Sequence, residues 1–177
     1  MLEYDLSNLP LKFGNIKWAV TSFKLFKSPG PDQISSVQLQ KAGNTTLNWL
    51  HEIFGKILKT GRIPPTWFQS KITFIPKAGK PSHTSAKDFR PISVSSFMLK
   101  TLERLISLHL KASIDPRLMS ESQHAYRKGR STDTALHTLL HKEYTLIAFL
   151  DIEGAFNNVT PAAITGALLR LGIDTGS

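Results

Sequence analysis

Asp151 follows the apolar run "YTLIAFL" and precedes Gly154, Ala155 and Phe156. A carboxylate at the C-terminal end of a strand can face a crevice where a ligand or metal sits, while the strand holds it rigidly. Magnesium takes hard oxygen ligands and keeps substrate phosphates in its shell, so such a carboxylate could serve as one of its donors. Gly154 and Ala155 carry little side chain, which leaves backbone N–H groups free to approach a phosphate, and Phe156 adds a flat wall. A helix-capping or salt-bridged aspartate explains Asp151 equally well. A second constellation is basic. Lys77, Lys80, Lys87 and Arg90 flank a strand–loop–strand pattern, and Arg127, Lys128 and Arg130 surround Gly129 beside Tyr126. Cations on loops near an aromatic suit a nucleic-acid backbone or a triphosphate, against the plain alternative of solvated loop charge. Arg90 lies between Phe89 and Pro91 inside a strand pattern, where a buried charge would need a partner.

Other chemistries are poorly served. Without cysteine there are no disulfides, thiolate metal sites or thiol nucleophile. His137 and His141 share a helical spacing, but "TLL" between them lacks the glutamate of a zinc-protease motif. No "GxSxG" elbow is present. Trp18, Trp49 and Trp67 fall among apolar residues and are expected in the core.

The elements that must position these residues follow from periodicity. "NIKWAVTSFKLFK" places Ile16, Ala19, Val20, Phe23 and Phe26 on one helical face. "SPGPD" forces a turn before "QISSVQLQKAG", a short helix closed by Gly43. "NTTLNWLHEIFGKILKTG" is amphipathic and stops at Gly61. "SKITFIP" and "FRPISV" read as paired strands, with Pro91 confining the second to an edge or a strand start. "FMLKTLERLISLHLKA" is the most periodic helix, "TDTALHTLLHK" another, and "YTLIAFLD" a buried strand. "TPAAITGALLRLG" has Thr160 as N-cap, Pro161 at the first position and Gly172 past the end. Helices followed by strands separated by helices give an α+β or α/β chain.

The composition, 41% hydrophobic and 20% charged, is that of a globular protein, and no apolar run approaches the roughly 20 residues that span a bilayer. The acidic start "MLEYDLSNLP" does not resemble a secretory signal, so an intracellular location, nuclear or cytoplasmic, is expected. The net charge of +9 is unevenly spread: residues 1–60 hold 7 Lys/Arg and 4 Asp/Glu, residues 61–142 hold 14 and 5, and residues 143–177 hold 1 and 4. A basic middle followed by an acidic end suggests a polyanion-binding face, with solubility as the plain alternative.

"SPGPDQI", "WFQSKITFIPKAGKP", "FRPISVSSFMLKTLERLI", "QHAYRKGRSTDTAL" and "FLDIEGAFNNV", in that order, resemble successive blocks of the reverse transcriptase of non-long-terminal-repeat, jockey-like retrotransposons. The resemblance implies an α+β right-hand polymerase fold: residues 1–67 as the helical start of the fingers, 68–142 as the basic fingers region, and 143–177 as the start of the palm. It implies that Asp151 is the first catalytic aspartate and that, with the carbonyl of Ile152, it ligates Mg2+ or Mn2+. Phe156 would be the gate that excludes a ribose 2′-hydroxyl, with Gly154 and Ala155 beside the nucleotide, and Lys77 and Arg90 would hold the deoxynucleotide triphosphate. Gln123, Arg127, Gly129 and Arg130 would lie along the RNA template, with a DNA primer as the other partner. Two-metal phosphoryl transfer needs several carboxylates, and the resemblance places the family's "(F/Y)xDD" hairpin beyond Ser177. Asn157 stands where many relatives have aspartate, and the Lys142–Tyr144 junction is shorter than in relatives by roughly two helical turns. The expectation is therefore a truncated or decayed polymerase domain, inactive alone, with a non-catalytic RNA-binding fingers fragment as the alternative.

Overall fold

A computed structural model describes residues 11–79, 82–140, 146, 148–152 and 158–173. The chain divides into two compact units, Met1–Lys111 and Ala112–Ser177.

In the first unit, α1 (Phe13–Thr21), α2 (Ser36–Gln40), α3 (Asn44–Thr60) and α4 (Phe97–Ser113) accompany a two-stranded antiparallel sheet of β1 (Ser70–Pro76) and β2 (Phe89–Ser95). The helices form where apolar residues recur at three and four positions, and those residues make the core. Ile16, Ala19 and Val20 of α1, Leu47, Leu50, Phe54 and Ile57 of α3, and Phe97, Leu102 and Leu105 of α4 are buried together with Phe23, Leu39 and Trp67. Edge-to-face pairs Phe23–Phe97 (4.9 Å) and Phe54–Trp67 (6.1 Å) lie within this cluster. Gly61 ends α3 at φ 64°, the left-handed cap that a residue without Cβ adopts at least cost.

Several expectations need correction. Helix α1 stops at Thr21, and Phe26 takes φ 56° and is 89% exposed instead of continuing the apolar face. Gly43 does not close α2, whose C-cap is Lys41; it is the N-cap of α3. Of the tryptophans only Trp67 is in the core, while Trp18 and Trp49 are 48% and 64% exposed. Both lie on the outward side of helices whose inward residues already fill the interior.

The "SPGPD" turn is fastened to the β2–α4 junction. A Cβ added to Gly30 would come within 2.7 Å of the Ser96 nitrogen and 2.8 Å of the Ser95 carbonyl carbon, so only glycine fits. Asp32 accepts hydrogen bonds from the Ser96 hydroxyl (2.5 Å) and the Ile34 N–H, and the Ser96 oxygen accepts from Met98 N–H at the start of α4. One turn thus ties down the end of β2 and the start of α4 together.

The second unit contains α5 (Thr132–Leu140) and α6 (Pro161–Arg170). Thr160 caps α6 by accepting from Ala163 N–H, Pro161 occupies its first position, and Gly172 follows its end at φ 75°. The expected strand "YTLIAFLD" is not formed among its described residues. Leu146, Phe149 and Leu150 are 101%, 92% and 94% exposed and carry no strand pairing. An apolar run becomes a buried strand only where neighbours supply its ladder, and among the described residues the only sheet is β1–β2.

Candidate functional site

The register of the β1–β2 ribbon brings Lys77 and Arg90 to one end of it. Ile75 pairs with Arg90 and Pro76 with Phe89, and the Lys77 N–H then donates to the Asp88 carbonyl at 2.8 Å. Strand alternation puts Arg90 on the face of Ile75 and Ile92. The return of the chain is braced by a short turn, Ala86–Asp88, in which Ser85 caps the Lys87 N–H while the Asp88 carboxylate accepts from the Ser85 N–H at 2.9 Å. His83 contacts the Lys77 carbonyl at 3.1 Å. Arg90 is exposed, so the partner required for a buried charge is not needed: a two-stranded ribbon leaves this face in water. Lys80 lies outside the described residues.

Beside the ribbon lies a basic hollow that no motif in the sequence announces. A cavity of about 840 Å³ is walled by Ile75, Ile92 and Val94 of the ribbon, by Phe23, Lys24 and Lys27, and by Lys100, Glu103 and Arg104 of α4. The Arg104 guanidinium sits 3.7 Å from the Phe23 ring centroid and donates to the Ala19 carbonyl and the Ser22 hydroxyl. Lys100 lies 5.0 Å from the Phe97 ring. Desolvation against this wall raises the Glu103 pKa, with Lys100 opposing it. The four-residue spacing of Lys100 and Arg104, which puts both on one side of α4, was the signal available in the sequence.

In the second unit the "QHAYRKGR" loop is built by the residues assigned to template contact. Arg127 Nη1 donates to the Ser120 carbonyl at 2.6 Å, Gln123 Nε2 to the Ala125 carbonyl at 3.3 Å, and Gly129 turns the chain at φ 77° so that Arg130 N–H reaches the Arg127 carbonyl at 3.2 Å. Arg130 is exposed and lines a concavity with Tyr126 and His124.

Asp151 and Ile152 are exposed, Ile152 at 74%. Gly154, Ala155 and Phe156 lie outside the described residues. Among the described residues no group of three His, Cys, Asp or Glu side chains is placed to hold a metal ion.

The family model described as "Reverse transcriptase (RNA-dependent DNA polymerase)" matches residues 75–176. The chain belongs to the reverse transcriptase family. Relatives bear this out: the chain is 32% identical over 167 residues to the probable RNA-directed DNA polymerase from transposon BS of Drosophila melanogaster, covering 89% of this chain and 18% of that protein. It is 30% identical over 153 residues to the RNA-directed DNA polymerase from mobile element jockey of the same fly, covering 81% and 17%. It is 28% identical over 167 residues to the probable polymerase from transposon X-element, covering 89% and 18%. The chain thus spans less than a fifth of the length of these relatives. The chain has the mixed helix–strand character expected of that family, and all the candidate residues from Lys77 to Phe156 fall inside the matched segment.

Reverse transcriptases use divalent metal ions. The Asp151 carboxylate and the Ile152 carbonyl, the donors expected from the sequence, are hard oxygens of the kind such ions take. A centre for paired ions needs further carboxylates, which the described residues do not bring to Asp151.

Proposed function

We propose that this chain carries the fingers and the start of the palm of an RNA-directed DNA polymerase, and that on its own it binds RNA without extending primers. The observation that carries the reading is the ribbon register, which sets Lys77 and Arg90 together at one end of a strand pair inside the matched segment. There Arg90 offers a planar fork of donors and Lys77 a mobile ammonium, the combination suited to a triphosphate. Asp151, with the Ile152 carbonyl, contributes to the site of a divalent ion, magnesium in the first instance. Phe156 blocks the 2′-hydroxyl of a ribonucleotide, beside Gly154 and Ala155. The template runs along the loop that Gln123, Arg127 and Gly129 shape, and a DNA primer completes the substrate set.

Paired ions need several carboxylates, and this reading assigns the chain one of them, Asp151. A polyanion held by exposed cations binds with a steep inverse salt dependence. Anisotropy titrations with a labelled RNA, paired with primer-extension assays, test the proposal. Salt-sensitive binding that survives Asp151→Ala, with no primer extension, is expected. Salt-independent binding, or Asp151-dependent extension by this chain alone, would refute it.

A further inference from the structure

Tyr126 is held in an arrangement that its own folding does not require. It has φ 60°, a left-handed conformation that crowds the Cβ of any residue but glycine, and its side chain is 92% exposed. A bulky aromatic in that conformation persists only where the surroundings over-determine it, and such strain collects at functional positions. The surroundings here do so. On one flank the Ala125 carbonyl accepts from Gln123, and on the other Arg127 is tied to the Ser120 carbonyl. His124 Nδ1 meets the Thr134 hydroxyl at 2.8 Å, and Ser131 and Thr134 exchange hydrogen bonds at the start of α5. The loop is thus clamped around a ring that lies almost wholly in solvent.

We propose that Tyr126 is a stacking platform for one unpaired base of a single-stranded nucleic acid, with Arg130 reaching the neighbouring phosphate. This rests on the RNA-binding reading above and deepens it. The concavity beside the ring, about 460 Å³ and lined by His124, Tyr126, Arg130 and Thr132, falls in the size range of small-ligand sites. Exposed Lys128 and Arg130 supply charge, whereas the Arg127 guanidinium is turned inward to the Ser120 carbonyl and acts as a positioning residue. A protein-docking surface would instead surround the ring with further large apolar side chains, and "SQHAYRKGRS" has none. An exposed ring with adjacent cations matches the base-and-backbone pattern of single strands, and a base stacked within a duplex cannot offer its face.

The test uses the full 177-residue chain with a labelled unstructured oligoribonucleotide and its duplex, titrated by anisotropy over a range of salt. Tyr126→Asn removes the ring but suits the left-handed backbone, so its thermal midpoint equals or exceeds that of the wild type. It weakens single-strand binding by about 5- to 100-fold without changing the salt slope. Tyr126→Phe binds as the wild type does, and Arg130→Ala lowers the salt slope by about one. Tyr126→Asn binding as tightly as the wild type, while Arg130→Ala still weakens binding, overturns the platform and leaves the RNA-binding reading standing. A lowered midpoint for Tyr126→Asn makes the ring structural and overturns the platform too. Failure of the wild type to bind the single strand overturns both.

Discussion

Arg127 and Arg90 show how far a residue's type specifies its work. Both were legible as cations in basic blocks, but not where their guanidinium groups would go. Arg127 points into its own loop and braces it, while Arg90 stands in water on a ribbon face, because a two-stranded sheet buries neither side. Gly30 was legible only as a turn former; that it touches Ser95 and Ser96 depends on a contact distant in the chain. Gly30→Ala therefore forces backbone apart and destabilises the first unit by about 1–3 kcal/mol, measurable by denaturant unfolding. Glu103 gives a pH signature. Its raised folded-state pKa means that its contribution to stability is fully present below the unfolded value and is lost as pH rises through the folded one. Relative to Glu103→Gln, the wild type should match it at a pH below the ordinary glutamate range and be less stable at a pH well above that range. The same gap at both pH values would contradict the assignment.

At the scale of elements, helices were the most legible because their apolar residues must repeat at 3.6 to be buried. The α3 pattern predicts both its inward face and its glycine stop. A large apolar side chain is covered only where its face meets the core: Phe54 is fully buried, and Trp49, on the outward side of the same helix, is largely open. Phe54→Ala is expected to cost about 3–5 kcal/mol and Trp49→Ala less than about 1 kcal/mol, by chemical denaturation. The paired strands β1 and β2 were legible from alternation and a turn-rich connection. "YTLIAFLD" was not, because a short apolar run carries no record of whether partner strands exist to receive it. The candidate aspartate follows that run, so its setting too depends on partners that the run does not encode.

Over the whole molecule, the buried residues among those described all belong to the first unit, and neither α5 nor α6 contains one. Burial of apolar surface is the main source of folding free energy, so opening of the second unit should be the less costly event. Limited trypsin digestion is expected to cut first within residues 112–177, at the exposed "RKGR" loop among other places, and to leave a resistant fragment ending near Lys111. Equal rates in both units would contradict this. Family membership was legible in the sequence because order among blocks carries more information than any single motif; the chemistry of Asp151 was not, since one carboxylate does not specify its company. The most direct measurement is primer extension by a jockey polymerase whose matching segment is replaced by residues 1–177. Template-dependent synthesis that falls by more than about 10²-fold on Asp151→Ala is expected. Synthesis at an undiminished rate in that variant would contradict it.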